Sequence, residues 1–385
     1  MQPLLDRAQP GDAFCLQDGV WVGKLIIPEG VTVWGKRSAR LKSGGEGTTV
    51  SLRSRARLLG VTVDGSGGRF DVVDAAVRLG GEGGVVEGTE VVHSVFGILS
   101  EKASGVQILG NHVEGIGGEA LGMRGDGIRL WETSHSRVEG NRVEDARDCV
   151  VWYSSDNIIL HNEVRRGRYG MHFMYSHRNQ VAENHFDFDE VGIFVMYSRD
   201  IQIRDNRMLH AHGPAGIGIG VKESGNLQVL GNLIADNTQG IFLDNSPLTD
   251  GDSNAFRENR IQLCDIGIGF LASQRANTFE DNEIIDDRAP VRVDGGGDAM
   301  ALHWNRNLWS DYVGYDLDGD GTGDVAFELR DLGDALESKV AGLGFLRGTP
   351  ALAMVSLAGE VVPLLAPRTI LIDSAPRLKG GRDAN

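Results

Sequence analysis

The chain has 385 residues, 41% hydrophobic and 24% charged, with 54 glycines against ten prolines. That balance describes a globular protein rather than a disordered one, and glycine without a G-X-Y period excludes collagen. A formal charge of −16 argues against nucleic acid or an anionic membrane surface as the main partner and is compatible with handling cations.

Cys15, Cys149 and Cys264 share no CxxC spacing, so neither a thiolate metal site nor a disulfide framework is indicated. The opening stretch "MQPLLDRAQPGDAF" lacks a basic region followed by an apolar run. The expectation is a cytosolic protein or one whose signal peptide has been removed. No apolar stretch reaches the ~20 residues needed to span a bilayer.

In chain order, residues 1–30 are read as an N-terminal cap over an otherwise open sheet edge. Residues 31–307 carry short alternating strands, irregularly at first ("VTVWG", "VSLRS", "LLGVTVDG") and then as a clear repeat. Asn111, Asn141, Asn162, Asn184, Asn206, Asn232, Asn259, Asn282 and Asn307 recur at spacings of 30, 21, 22, 22, 26, 27, 23 and 25. Units of this length with three period-two strands cannot bury an apolar side alone and must stack on copies of themselves. They are too short for propeller blades and lack the leucine pattern of horseshoe repeats. The expected fold is all-β, a right-handed single-stranded parallel β-helix (solenoid) with a short α-helical C-terminal extension. The repeated Asn is expected at a near-left-handed turn position, with copies hydrogen-bonding along the axis.

Between the asparagines runs a second beat: "GIRL", "CVVW", "GMHF", "GIFV", "GIFL" and "GIGF". Aligned on the leading Gly or Cys, two columns are predicted to face inward. They are Ile128, Val150, Met171, Ile193 and Leu130, Trp152, Phe173, Val195. The alternate columns then face out: Arg129, Val151, His172, Phe194 and Trp131, Tyr153, Met174, Met196. Met174 and Met196 are thereby stacked on adjacent coils, with His172 and Phe194 beside them. Thioether sulfur and neutral imidazole suit Cu(I). Met174, Met196 and His172 are the candidate copper ligands, with His210, His212 and Met123 able to approach. Trp131, Tyr153 and Phe194 extend an exposed aromatic stripe of the kind that marks a binding surface. A protein interface without metal, sugar stacking, and a bulge turning the stripe inward are the competing readings.

Residues 308–327 include "YDLDGDGTGD", in which Asp316, Asp318, Asp320 and Asp324 match the first nine positions of an EF-hand-type calcium loop. The twelfth-position Glu is replaced by Phe327. Residues 328–385 are expected to be a helical capping or docking segment, with Leu352, Met354, Leu357, Leu364 and Leu365 as docking residues.

The repeats together with "NLWSDYVGYDLDGDGTGD" and the apolar tail resemble the NosD family, from about residue 10 to residue 378. The resemblance implies a periplasmic location and a right-handed parallel β-helix. It also implies a role in maturing nitrous oxide reductase: transient Cu(I), accepted from a copper chaperone lipoprotein, is supplied in concert with an ABC transporter (ATPase and permease). Help with sulfur delivery is a further implication, as is peripheral membrane association through the C-terminal segment. A non-enzymatic copper-handling protein is the first reading. A β-helix lyase or hydrolase acting on polysaccharide, with Asp244 its most exposed carboxylate, and a metal-free adaptor of the transporter are the alternatives.

Overall fold

A computed structural model describes residues 1–272, 274–331, 354 and 368–378. The chain divides into two compact units, Met1–Ala215 and Gly216–Asn385. Each is built of coils in which three short strands follow one another round three faces, and every strand pairs in parallel with its counterpart one coil on. The first unit stacks nine, nine and eight strands on its three faces, and the second stacks four on each. The architecture is therefore an all-β parallel solenoid. Helix among the described residues is confined to single turns such as Gln2–Leu5 and the 3-10 turn Leu121–Met123.

Coils begin at Ala13–Leu16, earlier than the expected residue 31. Only the turn Gln2–Leu5 lies over the end, with Leu5 fully buried and the Gln2 side chain bonded to both the N–H and the C=O of Ile26. A side-chain amide here stands in for the missing strand partner.

The repeated asparagines are buried and form an axial ladder. Asn162 Oδ1 accepts from the backbone N–H and the side-chain amide of Asn141 at 3.0 and 2.9 Å. Its own amide donates to Val138 O and to Asn184 Oδ1. The left-handed position is not the Asn, as expected, but the residue before it: His161, Glu183 and Asp205 have φ of 53, 56 and 54°. The Asn sends its amide along the axis to the next coil, and the left-handed turn falls one residue earlier.

In the second unit the ladder ends on a carboxylate: Asp373 accepts from Asn307 N–H, the Asn307 amide and Trp309 Nε1 at 3.0–3.1 Å. Asp373 belongs to the strand Arg368–Asp373, antiparallel to Phe327–Asp331. Within the expected helical segment, the described stretches up to Asp331 and from Arg368 to Asp373 are thus strands. The last coil also runs to Trp309, two residues into the expected acidic loop. Leu352, Leu357, Leu364 and Leu365 lie outside the described residues, whereas Met354 is exposed.

A candidate thioether–imidazole site on the third face

Four consecutive strands of the third face build the site: Ile128–Ser134, Asp148–Trp152, Tyr169–Met174 and Val191–Met196. The observed register pairs Ile128 with Cys149 and Trp131 with Trp152, and then Val150 with His172 and Trp152 with Met174. A bulge between Asp148 and Val150 makes up the difference. This overturns the expected placement of one coil. Cys149 and Val151 point inward, and Trp152, not Tyr153, joins the outward column Trp131–Trp152–Met174–Met196. Equating Cys149 with the leading glycines fails because Cys149 pairs with Ile128, one position past Gly127. At Gly170 a Cβ would lie 2.4 Å from the Phe186 ring.

Tyr153 instead occupies the turn after its strand, in a left-handed conformation shared by Tyr175 and Tyr197. The three phenol rings stack at 5.4 and 4.9 Å, and Trp131 meets Tyr153 at 5.3 Å. The serine after each tyrosine fixes this turn. Thr133 N–H donates to Ser154 Oγ, Ser154 N–H to Ser176 Oγ and Ser176 N–H to Ser198 Oγ.

Met174 and Met196 are Cα partners on adjacent strands. His172, two residues before Met174, sends its Nε2 to within 3.3 Å of Met196 Sδ. Its Nδ1 accepts from Trp152 Nε1 at 3.4 Å. Although it points away from the solenoid interior, His172 is only 6% exposed. Tyr169 stacks on it at 4.6 Å, and Trp152 and Phe194 meet it edge-on. That burial pulls its pKa down to about 4, so the ring is neutral at physiological pH.

A charged chain runs behind the aromatics. Buried Asp126 pairs with Arg129 and Arg147, and buried Asp148 with Arg147 and Arg168. Burial pushes the Asp126 pKa up, against the pull of Arg147. Arg129 lies 4.6 Å from the Trp131 ring centre and 5.5 Å from that of Trp152, and Arg168 lies 4.8 Å from Tyr169. These cation–π contacts orient the rings that enclose His172.

His172, Met174 and Met196 are thus brought together. His210 is committed elsewhere, its Nδ1 2.7 Å from Asp187 Oδ1 and its ring stacked on Phe188. His212 and Met123 are exposed. In the second unit, Asp316, Asp318 and Asp320 each offer an oxygen within 4.8 Å of the others. Asp324 accepts from Leu317 N–H instead. Trp152 and Tyr169 are the residues that sequence reasoning missed. The 21-residue step from Asn141 to Asn162, added to Trp131, gives Trp152 and was the available signal.

A family model described as the periplasmic copper-binding protein NosD matches residues 110–314, more than half of the chain. The chain belongs to the NosD family. That match spans the thioether–imidazole site. Two NosD relatives, each named a probable ABC transporter binding protein, align over most of their length. The one from Pseudomonas aeruginosa is 28% identical over 93% of this chain and 89% of its own. The one from Stutzerimonas stutzeri is 24% identical over 94% and 86%.

Among solved structures, the Dettilon tailspike protein gp208 superposes with a TM-score of 0.55 at 16% identity, over 83% of this chain and 65% of that one. DFA-IIIase from Arthrobacter chlorophenolicus A6, without its lid, gives 0.51 at 14% identity over 77% and 84%. At these identities the likeness is one of fold alone. Among the described residues no helix is long and apolar enough to cross a membrane.

Proposed function

We propose that this NosD-family chain is a periplasmic, non-enzymatic copper-handling protein that holds Cu(I) in transit between Met174, Met196 and His172. The observation that carries this reading is the contact of His172 Nε2 with Met196 Sδ at 3.3 Å, beside Met174, the Cα partner of Met196 on the adjacent strand. Soft, uncharged donors favour Cu(I) over the hard divalent cations. The family description as copper-binding supports it.

The relatives' names support a further step, in which the protein works with an ABC transporter. In that reading it accepts Cu(I) from a copper chaperone lipoprotein and passes it on toward nitrous oxide reductase. The tyrosine stack with Trp131 and Phe194 beside the site is the surface on which such a donor would dock. Calcium at Asp316, Asp318 and Asp320 is a separate, structural proposal supported by the spacing of their carboxylates.

Cu(I) titration against a competing chelator tests the site. The wild type is expected to take one Cu(I), and Met174→Ala/Met196→Ala to lose at least tenfold in affinity, since each lost ligand costs on the order of 1 kcal/mol or more. Unchanged affinity in the folded double variant would remove the assignment.

A further inference from the structure

We propose that Trp152 is a latch that keeps the His172–Met196 pair closed in the metal-free protein, so that loading a soft cation requires the imidazole to exchange tautomers and release the indole. This rests on the copper reading above and adds a control step to the same site.

The indole N–H can only donate. Because Trp152 Nε1 lies 3.4 Å from His172 Nδ1, Nδ1 must be the nitrogen that carries the lone pair. In a neutral ring the proton then sits on Nε2, which faces Met196 Sδ at 3.3 Å and donates to it. The two ligand atoms therefore satisfy each other. Nε2 has no free lone pair in this tautomer, and one sulfur lone pair is engaged.

A cation bound between them needs the Nε2 lone pair. The step that provides it breaks Nε2–H and forms Nδ1–H, with water carrying the proton, and no proton is gained or lost overall. Two N–H donors would then oppose each other across the Trp152–His172 contact, so the indole must move. The imidazole is packed against Tyr169 and Phe194, which disfavours the alternative of a ring flip. The bulge after Asp148 is what places the indole over this nitrogen, and Arg129, 5.5 Å from the indole centre, steadies it there.

The experiment is long-range proton–nitrogen NMR on the full chain with ¹⁵N-labelled histidine, together with anaerobic Cu(I) titration. Metal-free wild type is expected to show His172 protonated on Nε2, and Cu(I) to convert it to the Nδ1-protonated form with no net proton release. Trp152→Phe keeps an aromatic face but deletes the N–H. It is expected to lose the tautomer preference and to bind Cu(I) roughly fivefold more tightly, the scale of one net hydrogen bond.

An Nδ1-protonated wild type, or a folded Trp152→Phe with unchanged affinity, overturns the latch. The wild-type spectrum decides the matter even where the variant fails to fold. Wild type that takes Cu(I) while protonated on Nδ1 from the outset removes the latch alone. Wild type that is Nε2-protonated but takes no Cu(I) removes the copper reading and the latch's purpose with it.

Discussion

His172 shows how a side chain on the outer face of a solenoid acquires an interior environment. Tyr169, Trp152 and Phe194 enclose it, and their own positions depend on Arg168 and Arg129. Neutral imidazole is the form a soft metal requires, and burial secures it without a neighbouring positive charge being the main cause. Asp189 shows the same physics with the opposite consequence. It is fully buried; its Oδ1 accepts from Gly167 N–H at 2.6 Å, while Oδ2 has no partner. Desolvation pushes its pKa up to about 7 from an ordinary 3.8. The folded state therefore holds this proton more tightly than the unfolded one. Its contribution is full below about pH 4 and is lost as pH rises toward 7. Asp189→Asn is expected to flatten that slope and to stabilise the protein at pH 7.5 by roughly 2 kcal/mol. Urea denaturation across pH 4–8 measures both effects, and an unaltered slope would show that Asp189 is not the group responsible.

At the scale of the element, the Asn ladder fixes where each coil sits on the next. Each ladder amide bonds to neighbours on both sides, so a single deletion takes bonds from several buried groups at once. Asn162→Ala would leave the N–H of Asn141 without its acceptor and take one partner each from the Asn141 amide and from Val138 O. The expected cost is ~3 kcal/mol. Asn162→Asp should cost more, because it sets a carboxylate oxygen against the Val138 carbonyl. Thermal melts of the two variants rank these effects, and equal melting points would contradict the ladder geometry.

The ladder was also the ruler that the sequence offered for register. Its 21-residue step before Asn162 and its 22-residue step after it reproduce the observed offsets, Trp131 to Trp152 and Trp152 to Met174. Aligning the strands by their first residue instead treated Cys149 as a glycine and rotated one strand by a residue. A one-residue slip exchanges the two faces of a strand, and Trp152 was read as core for that reason.

At the scale of the molecule, solenoid coils touch only their neighbours, so local damage should stay local. Asp373 takes the place of the next Asn at the end of the second unit's ladder. Trp309 donates to it where a ladder Asn would itself donate to a carbonyl, which is why a carboxylate fits this terminal position. Asp373→Ala is expected to raise amide hydrogen exchange in the coils around Asn282 and Asn307, and to leave the strands from Ile128 to Met196 unchanged. Exchange rising in both regions together would show cooperative unfolding and refute coil-by-coil behaviour.

The sequence by itself determined the coil repeat, the parallel stacking, the asparagine column and the pairing of Met174 with Met196. All of these follow from local periodicity, which stacking reproduces coil after coil. Only the tertiary structure decided that Trp152 faces outward, that His172 is enclosed, that His210 is bound to Asp187, and that the residues around Asp373 form a strand rather than a helix. Each of those depends on contacts between residues about twenty or more positions apart, where a bulge, a ring stack or a terminal carboxylate overrides local pattern.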